Sequence, residues 1–285
     1  MQRLGGLVEL TRPGNAVLSG LLTFVGAFVA GFDAGVGGLL FDTSPELRAA
    51  AAVGATMLAV GAGNAINDYF DREIDRINAP DRPIPRGAVS PRGALAFSVV
   101  LFALAVGLAL LLPPLAIGIA VVNLLALVAY TELFKGLPGV GNALVGYLGG
   151  STFLFGGAAV GGRLQPVVVL FVLAALATFA REVVKDVEDV AGDREEGLAT
   201  LPIAYGERPA LVVATVALGL ALLASPAPYL LGTFSFVYLA AVLPADAVML
   251  AAAYWSFADP TRGQTWLKYG QLLAALAFVA GRVAA

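Results

Sequence analysis

The chain has 285 residues, of which 59% are apolar and 13% are charged, and its formal net charge is −3. Soluble domains are typically about 45–50% apolar and roughly 25% charged, so this composition indicates a membrane protein. The small net charge gives no sign of nucleic-acid binding. The lack of cysteine and histidine excludes disulfides, thiolate or imidazole metal sites and a histidine general base. Any metal must be held by oxygen atoms, which points to a hard cation such as Mg²⁺.

The N-terminal segment MQRLGGLVELTRPGN precedes a first apolar run at 16–32. This run is too long for the core of a signal peptide and shows no clear cleavage site, so we predict a retained first span. Each further span needs about 20 apolar residues, and we predict them at 47–66, 94–112, 114–131, 140–160, 165–182, 209–224, 232–254 and 266–283. The total is nine. It is eight if the short seventh run or the eighth, which contains Pro244 and Asp246, does not cross.

The distribution of positive charge predicts a cytoplasmic N-terminus, because cytoplasmic loops of membrane proteins are enriched in Lys and Arg. With this orientation, fourteen of the seventeen basic residues are cytoplasmic, and the other three are Arg48, Arg163 and Arg282. The predicted fold is therefore all-α, a polytopic cell-membrane protein of nine transmembrane helices forming one domain over 1–285.

Two acidic clusters interrupt the apolar sequence, one after the second span and one after the sixth. Their members share the relative positions 0, 4, 7 and 11, which a continuous helix would place within about 60° of one another. The clusters consist of Asn64, Asp68, Asp71 and Asp75, and of Glu182, Asp186, Asp189 and Asp193. The repeated spacing predicts two similar halves, about 1–135 and 136–285.

A solvated helix at the membrane surface is the ordinary interpretation of one charged run. It fits two such stripes poorly, because like charges three and four residues apart repel each other. Mg²⁺ prefers one or two carboxylates together with phosphate oxygens, and arginine binds phosphate oxygens well. The clusters therefore predict a diphosphate clamp, with both acidic stripes on the cytoplasmic side.

The stretch NAINDYFDREIDRINAPDRPIPRG at 64–87 resembles NxxNDxxDxxxD, the first signature of the UbiA superfamily of intramembrane prenyltransferases. REVVKDVEDVAGDREEG at 181–197 resembles the second signature of that superfamily. Both cytosolic loops are most similar to those of the archaeal enzymes that add a second geranylgeranyl chain to geranylgeranylglyceryl phosphate. The resemblance implies a UbiA-like bundle and Mg²⁺-dependent geranylgeranyl transfer from geranylgeranyl diphosphate to the glycerol hydroxyl of that acceptor.

The resemblance and the clamp together assign roles to individual residues. The catalytic candidates are Asn64, Asp68, Asp71, Tyr130 and Asp186. Tyr130 is included because an aromatic face can stabilise an allylic cation. It is chosen from the aromatic residues near the motifs, which are Tyr69, Tyr130, Phe134, Tyr147 and Phe179. The candidate metal ligands are Asp68, Asp71, Asp75, Asp186, Asp189 and Asp193. The candidate substrate-binding residues are Asn15, Asn67, Arg72, Arg76, Arg82, Arg86, Lys135, Arg181 and Lys185.

The expected partners are an isoprenyl diphosphate, a phosphorylated glycerol-ether lipid and the bilayer, with no nucleic acid and no obligate protein partner. One alternative is prenyl transfer to an aromatic or quinone precursor. Another is a divalent-cation transporter, since intramembrane acids can mark an ion path, although transporter sites usually lie near the midplane. A structural lipid-binding protein would not need two metal stripes. Asp246 stays unassigned, because its position near Pro244 indicates a break in the helix.

Overall fold

The protein is an all-helical bundle. The computed structural model describes residues 2–285, except for the side chains of Gln2, Ile74, Asn78, Thr131 and Glu132. Its α-helices are α1 (Gln2–Leu10), α2 (Pro13–Ala30), α3 (Pro45–Phe70), α4 (Arg72–Asn78), α5 (Pro91–Ala109), α6 (Pro114–Ala129), α7 (Val140–Ala159), α8 (Leu164–Glu188), α9 (Val190–Glu195), α10 (Leu201–Tyr205), α11 (Glu207–Ala224), α12 (Ala227–Leu230), α13 (Phe236–Trp255) and α14 (Pro260–Val283). A π-helical turn, Tyr130–Phe134, follows α6.

The long helices of the described chain coincide with the predicted apolar runs to within two helical turns at every end. Within the described residues, six segments are long and apolar enough to cross a membrane: the helices α2, α3, α5, α8 and α13, and the stretch Glu207–Leu230, which contains α11. Helix α6 is apolar but shorter. The structure is therefore that of a helical membrane protein with six candidate spans.

Several long helices begin with the same local signal, a capping side chain followed by proline. The hydroxyl of Ser44 accepts a hydrogen bond from the Leu47 backbone N–H, and that of Ser90 accepts one from Gly93. The next residue is proline in both cases. The cap satisfies one of the unpaired N–H groups of the first turn, and proline suits the first helical position because its fixed φ is already helical.

Helices α2 and α7 cross closely because glycines face each other's backbone. A Cβ atom on Gly156 would lie 1.9 Å from the carbonyl oxygen of Thr23, and one on Gly26 would lie 2.2 Å from that of Phe153. Further along, Gly157 of α7 lies beside Ala30 of α2. The two helices also end together, because the Asp33 N–H donates to the Val160 carbonyl and the Arg163 N–H donates to the Ala30 carbonyl. Helices α2 and α7 are therefore parallel and begin at the same end of the bundle.

Pro244 does not break its helix. Helix α13 runs without interruption from Phe236 to Trp255 with Pro244 inside it, so the predicted break beside Asp246 is wrong. Proline is tolerated within membrane helices because neighbouring groups can satisfy the backbone carbonyl that it leaves unpaired. Asp246 consequently lies near the middle of a long apolar helix.

Candidate functional site

The two acidic clusters lie at the same end of the bundle. Asn64, near the end of α3, donates its side-chain amide to the carbonyl of Thr11 just before α2, at 3.0 Å. Asp186, near the end of α8, accepts a hydrogen bond from the amide of Asn142 in the first turn of α7, at 2.8 Å. Because α2 and α7 are parallel and start together, both clusters are brought to the end where these two helices begin.

Each cluster contains a helix break that the sequence did not predict. Helix α3 ends at Phe70 and α4 begins at Arg72, with Asp71 between them at φ −80° and ψ 1°. Asp189 separates α8 from α9 with φ −92° and ψ 5°. The prediction that each stripe lies on one continuous helix is therefore wrong. Both breaks fall at the third position of the stripe, so the two clusters share their local geometry as well as their spacing.

Two arginines neutralise the buried acids of the first cluster. Asp68 and Asp75 are 4% and 5% exposed. The Nη2 atom of Arg12 lies 2.7 Å from Oδ1 of Asp68. The Nη1 atom of Arg82 donates to both oxygens of Asp75 at 2.6 and 2.8 Å and lies 3.6 Å from Asp68. Although burial alone would lower the pKa of Arg82, the hydrogen bond to Asp75 and the surrounding carboxylates raise it overall.

Arg12 is a site residue that the sequence reasoning missed. It lies in the elbow between α1 and α2 and has φ 47°, the left-handed conformation that no other described non-glycine residue adopts. Such a conformation is strained and persists where the surrounding structure holds it. Here the neighbouring Thr11 carbonyl is held by Asn64, and the Thr11 side chain lies against Gly61 of α3. No sequence spacing relates position 12 to position 68.

The remaining polar residues of the first cluster have different surroundings. The carboxylate of Asp71 makes no hydrogen bond or ion pair with a described residue, and the same is true of the Asn67 side-chain amide. Asn15 is exposed in the first turn of α2 and does not cap it, because the N-cap position is Arg12.

Three predicted phosphate-binding arginines are paired with other groups. Arg72 donates to the Tyr69 carbonyl at 2.8 Å and lies over the Tyr69 ring. Arg76 pairs with Glu73 at 2.5 Å. Arg86 pairs with Glu9 of α1 at 2.7 Å, so it ties the loop after α4 to α1.

The three aspartates of the second cluster are held by amide, ammonium and hydroxyl groups rather than by arginines. Asn142, which the sequence reasoning also missed, is buried. Lys185 donates to Asp189 at 2.8 Å. The hydroxyl of Thr200 lies 3.4 Å from an Asp193 oxygen. Burial, reinforced by the charge of Asp189, raises the pKa of Asp193 above the ordinary carboxyl value.

Further candidate residues lie near the second cluster. Arg181 pairs with Glu182 on α8, and Lys135 lies 3.7 Å from Glu196. Tyr130 begins the π-helical turn and lies within electrostatic range of Glu182 and Asp186. Single π-helical turns occur often at functional sites. Tyr147, by contrast, packs edge-to-face on Phe171 further inside the bundle.

The acids suit a hard cation by chemistry but are not gathered around one point. Among the described residues, no three acidic side chains converge into a metal-sized cluster. Like charges brought together without a cation would repel one another, and Arg12 and Arg82 supply the opposing charge instead. The unpaired carboxylate of Asp71 and the half-exposed carboxylate of Asp189 still fit Mg²⁺, which binds one or two carboxylates, waters and phosphate oxygens.

Comparison with known proteins identifies the family. A sequence profile described as the UbiA prenyltransferase family matches residues 21–279. The chain is 66% identical to a digeranylgeranylglyceryl phosphate synthase of Natronomonas pharaonis over 100% of this chain and 99% of the relative. A solved structure of a digeranylgeranylglyceryl phosphate synthase is 35% identical with a TM-score of 0.81, covering 99% of each chain.

The fold is shared more widely. A UbiA homologue from Archaeoglobus fulgidus, solved with DMAPP and Mg²⁺, is 18% identical with a TM-score of 0.68 and covers 98% of each chain. The profile match over nearly the whole sequence and the 66% identity to a full-length relative lead to one conclusion: the chain belongs to the UbiA prenyltransferase family.

Proposed function

We propose that the protein transfers a geranylgeranyl group from geranylgeranyl diphosphate to the glycerol hydroxyl of geranylgeranylglyceryl phosphate, a step of archaeal ether-lipid synthesis. The proposal rests on the end-to-end identity with digeranylgeranylglyceryl phosphate synthases. The observation that carries it is the pair of acid-bearing helix ends brought together at one end of an apolar bundle. This arrangement suits a substrate with a charged head and a long isoprenoid tail.

The acids of both clusters would hold Mg²⁺; among them, the Asp71 carboxylate is unpaired and that of Asp189 is half-exposed. The homologue from A. fulgidus binds the same cation together with DMAPP, which supports this assignment. Bound Mg²⁺ would neutralise charge developing on the diphosphate as it leaves.

The guanidinium groups of Arg12 and Arg82 are placed to bind the diphosphate. They compensate Asp68 and Asp75 at 2.6–2.7 Å, while their side chains remain 41% and 37% exposed. Each of these arginines contacts a buried carboxylate and is also partly exposed, so its guanidinium group can contact phosphate oxygens at this end of the bundle. Arg72 and Arg76 lie on α4 beside them.

The reaction breaks the bond between the allylic carbon and the diphosphate oxygen and forms a bond between that carbon and the acceptor hydroxyl oxygen. The hydroxyl proton is released. Water must be excluded, because it would capture the allylic cation as a free alcohol. We assign to Tyr130, which lies within electrostatic range of Glu182 and Asp186, the role of placing an aromatic face near the reacting carbon.

A phosphorylated acceptor needs positive charge beyond that used by the donor. Lys135, Arg181 and Lys185 lie around the second cluster, each paired with one acidic side chain. We assign the acceptor phosphate to this group and the donor diphosphate to the arginines of the first cluster.

We also propose nine spans, a cytoplasmic N-terminus and a site that faces the cytoplasm of the cell membrane. The nine long helices of the described chain and the excess of Lys and Arg at the cluster end support this topology. Arg48, one of the three basic residues assigned to the outer side, is fully buried and donates to the Asp33 carbonyl at 2.7 Å, so it has a structural role.

The test is product identification. Purified protein in lipid nanodiscs is incubated with Mg²⁺, geranylgeranyl diphosphate and either geranylgeranylglyceryl phosphate or an aromatic acid, and products are identified by mass spectrometry. We expect the doubly alkylated glycerol phosphate, and no product when Mg²⁺ is chelated. If only the aromatic acid is prenylated, the protein is a prenyltransferase with a different acceptor.

A further inference from the structure

A cavity of about 110 Å³ lies between the long helices, away from the acidic clusters. Its lining residues Ala177 and Thr178 precede Asp186 by about two turns of α8, which is roughly 12 Å along the helix axis. Asp246 and Gln271, which also line it, lie near the midpoints of α13 and α14. The cavity is therefore close to the centre of the bundle, and the proposed transfer reaction uses neither residue.

One side of the cavity carries a fixed polar network. The hydroxyl of Ser225 donates to Oδ2 of Asp246 at 2.5 Å, and the hydroxyl of Tyr238 donates to the Ser225 carbonyl at 2.7 Å. Tyr238 is fully buried. These bonds engage Oδ2 of the Asp246 carboxyl and leave its second oxygen, Oδ1, outside the network.

Two polar atoms of the same cavity have no partner. Oδ1 of Asp246 and Nε2 of Gln271 are both buried, and neither makes a hydrogen bond with a described residue. Buried polar groups in proteins are nearly always hydrogen-bonded, to the protein or to a bound molecule. One of these atoms is an acceptor and the other is a donor. A guest that satisfies both must donate one hydrogen bond and accept another.

The charges of the lining residues further restrict which molecule can bind in the cavity. None of the described residues that line it is Lys or Arg, and Asp246 is the sole acidic residue among them. The lining offers no positive charge to bind an anion, and it offers Mg²⁺ a single carboxyl with no second charged ligand. The rest of the wall is largely apolar and includes Leu22, Val242 and Phe278. The guest is therefore small and uncharged.

We propose that a hydroxyl group bridges Asp246 and Gln271 in this cavity, donating to Oδ1 of Asp246 and accepting from Nε2 of Gln271. The hydroxyl belongs either to bound water or to a short membrane-soluble alcohol whose carbon chain lies along the apolar wall. The volume accommodates a few waters, at roughly 30 Å³ each, or one small alcohol.

The test is a double-mutant cycle on the full chain in nanodiscs, with the thermal midpoint as readout. The variants are Gln271→Met, Asp246→Leu and the double variant. If a hydroxyl bridges the two side chains, Gln271→Met alone lowers the midpoint by about 2–4 °C. The same change has no such effect in the Asp246→Leu background, because the bridge is already lost. If Asp246→Leu does not fold, Asp246→Ala takes its place.

Asn123→Leu is the matched control. The Oδ1 atom of Asn123 on α6 is also buried and unpaired, but Asn123 does not line the cavity, so its effect should add to that of Gln271→Met. If nothing bridges Asp246 and Gln271, Gln271→Met removes an unpaired polar atom and raises the midpoint equally in both backgrounds. That result would overturn the proposal.

A second arm separates the two sources of the hydroxyl. The wild type and Gln271→Met are heated with 1-butanol or with its isomer methyl propyl ether, which accepts but cannot donate a hydrogen bond. Stabilisation of the wild type by the alcohol alone identifies an alcohol as guest. If the double-mutant cycle shows coupling between Asp246 and Gln271, but the alcohol does not raise the thermal midpoint more than the ether does, the bridging molecule is water.

Discussion

The Asn142→Ala variant tests whether the second acidic cluster depends on a residue that lies far from it in sequence. The buried Asn142 amide donates to Oδ2 of Asp186 at 2.8 Å, and its removal leaves that oxygen without this donor. A hydrogen bond to a charged group is worth about 1.5–3 kcal/mol. If the bond orients Asp186 in the reacting complex, kcat/KM falls by roughly 10- to 150-fold.

The matched control is Ser151→Ala on the same helix. Its buried hydroxyl bonds the Leu148 carbonyl within α7, so its loss should affect stability but not transfer. The assay is initial-rate kinetics of both variants in nanodiscs across a Mg²⁺ titration, with thermal midpoints measured in parallel. We expect Asn142→Ala to need more Mg²⁺ for half-maximal rate and Ser151→Ala to match the wild type. An unchanged kcat/KM in Asn142→Ala, or an equal loss in both variants, would refute the reasoning.

Three further predictions address the first cluster, the topology and the acceptor. Arg12→Ala should raise the KM for geranylgeranyl diphosphate by about 10-fold or more, since the diphosphate loses a charge-assisted contact; an unchanged KM would remove Arg12 from the site. Cysteine introduced at Ala79 should react with an impermeant maleimide from the cytoplasmic side and cysteine at the exposed Ala34 from the outer side, and the reverse pattern would invert the proposed topology. In a two-substrate kinetic matrix, Arg181→Ala should raise the KM for geranylgeranylglyceryl phosphate more than that for the diphosphate, and Arg82→Ala the reverse. Equal losses for both substrates would contradict the division between donor and acceptor.

The helices were predictable from the sequence because apolar runs of about 20 residues are a local signal. The two acidic clusters were predictable because their spacing repeats. The breaks at Asp71 and Asp189 were not predictable, since the spacing of the acidic residues continues unchanged across both positions. The backbone also changes little there, because Asp71 N still donates to Asn67 O and Asp189 N to Lys185 O, as in a continuous helix.

Arg12 and Asn142 were missed for a different reason. Each reaches its acidic partner because the start of α2 or α7 packs beside the end of the helix that follows it, and this proximity is a tertiary property. The two similar halves stay a prediction, supported by the contacts that the second residue of each stripe makes with the start of α2 or α7, Asp68 with Arg12 and Asp186 with Asn142.

The central claim is that the two acidic helix ends form one diphosphate site. The most direct measurement is calorimetric titration of geranylgeranyl diphosphate with Mg²⁺ into the wild type and into Asp71→Asn and Asp189→Asn, one variant from each cluster. We predict one binding site per chain in the wild type and a weakened affinity for that same site in each variant. Two independent sites, or full affinity after the loss of either carboxylate, would contradict the account.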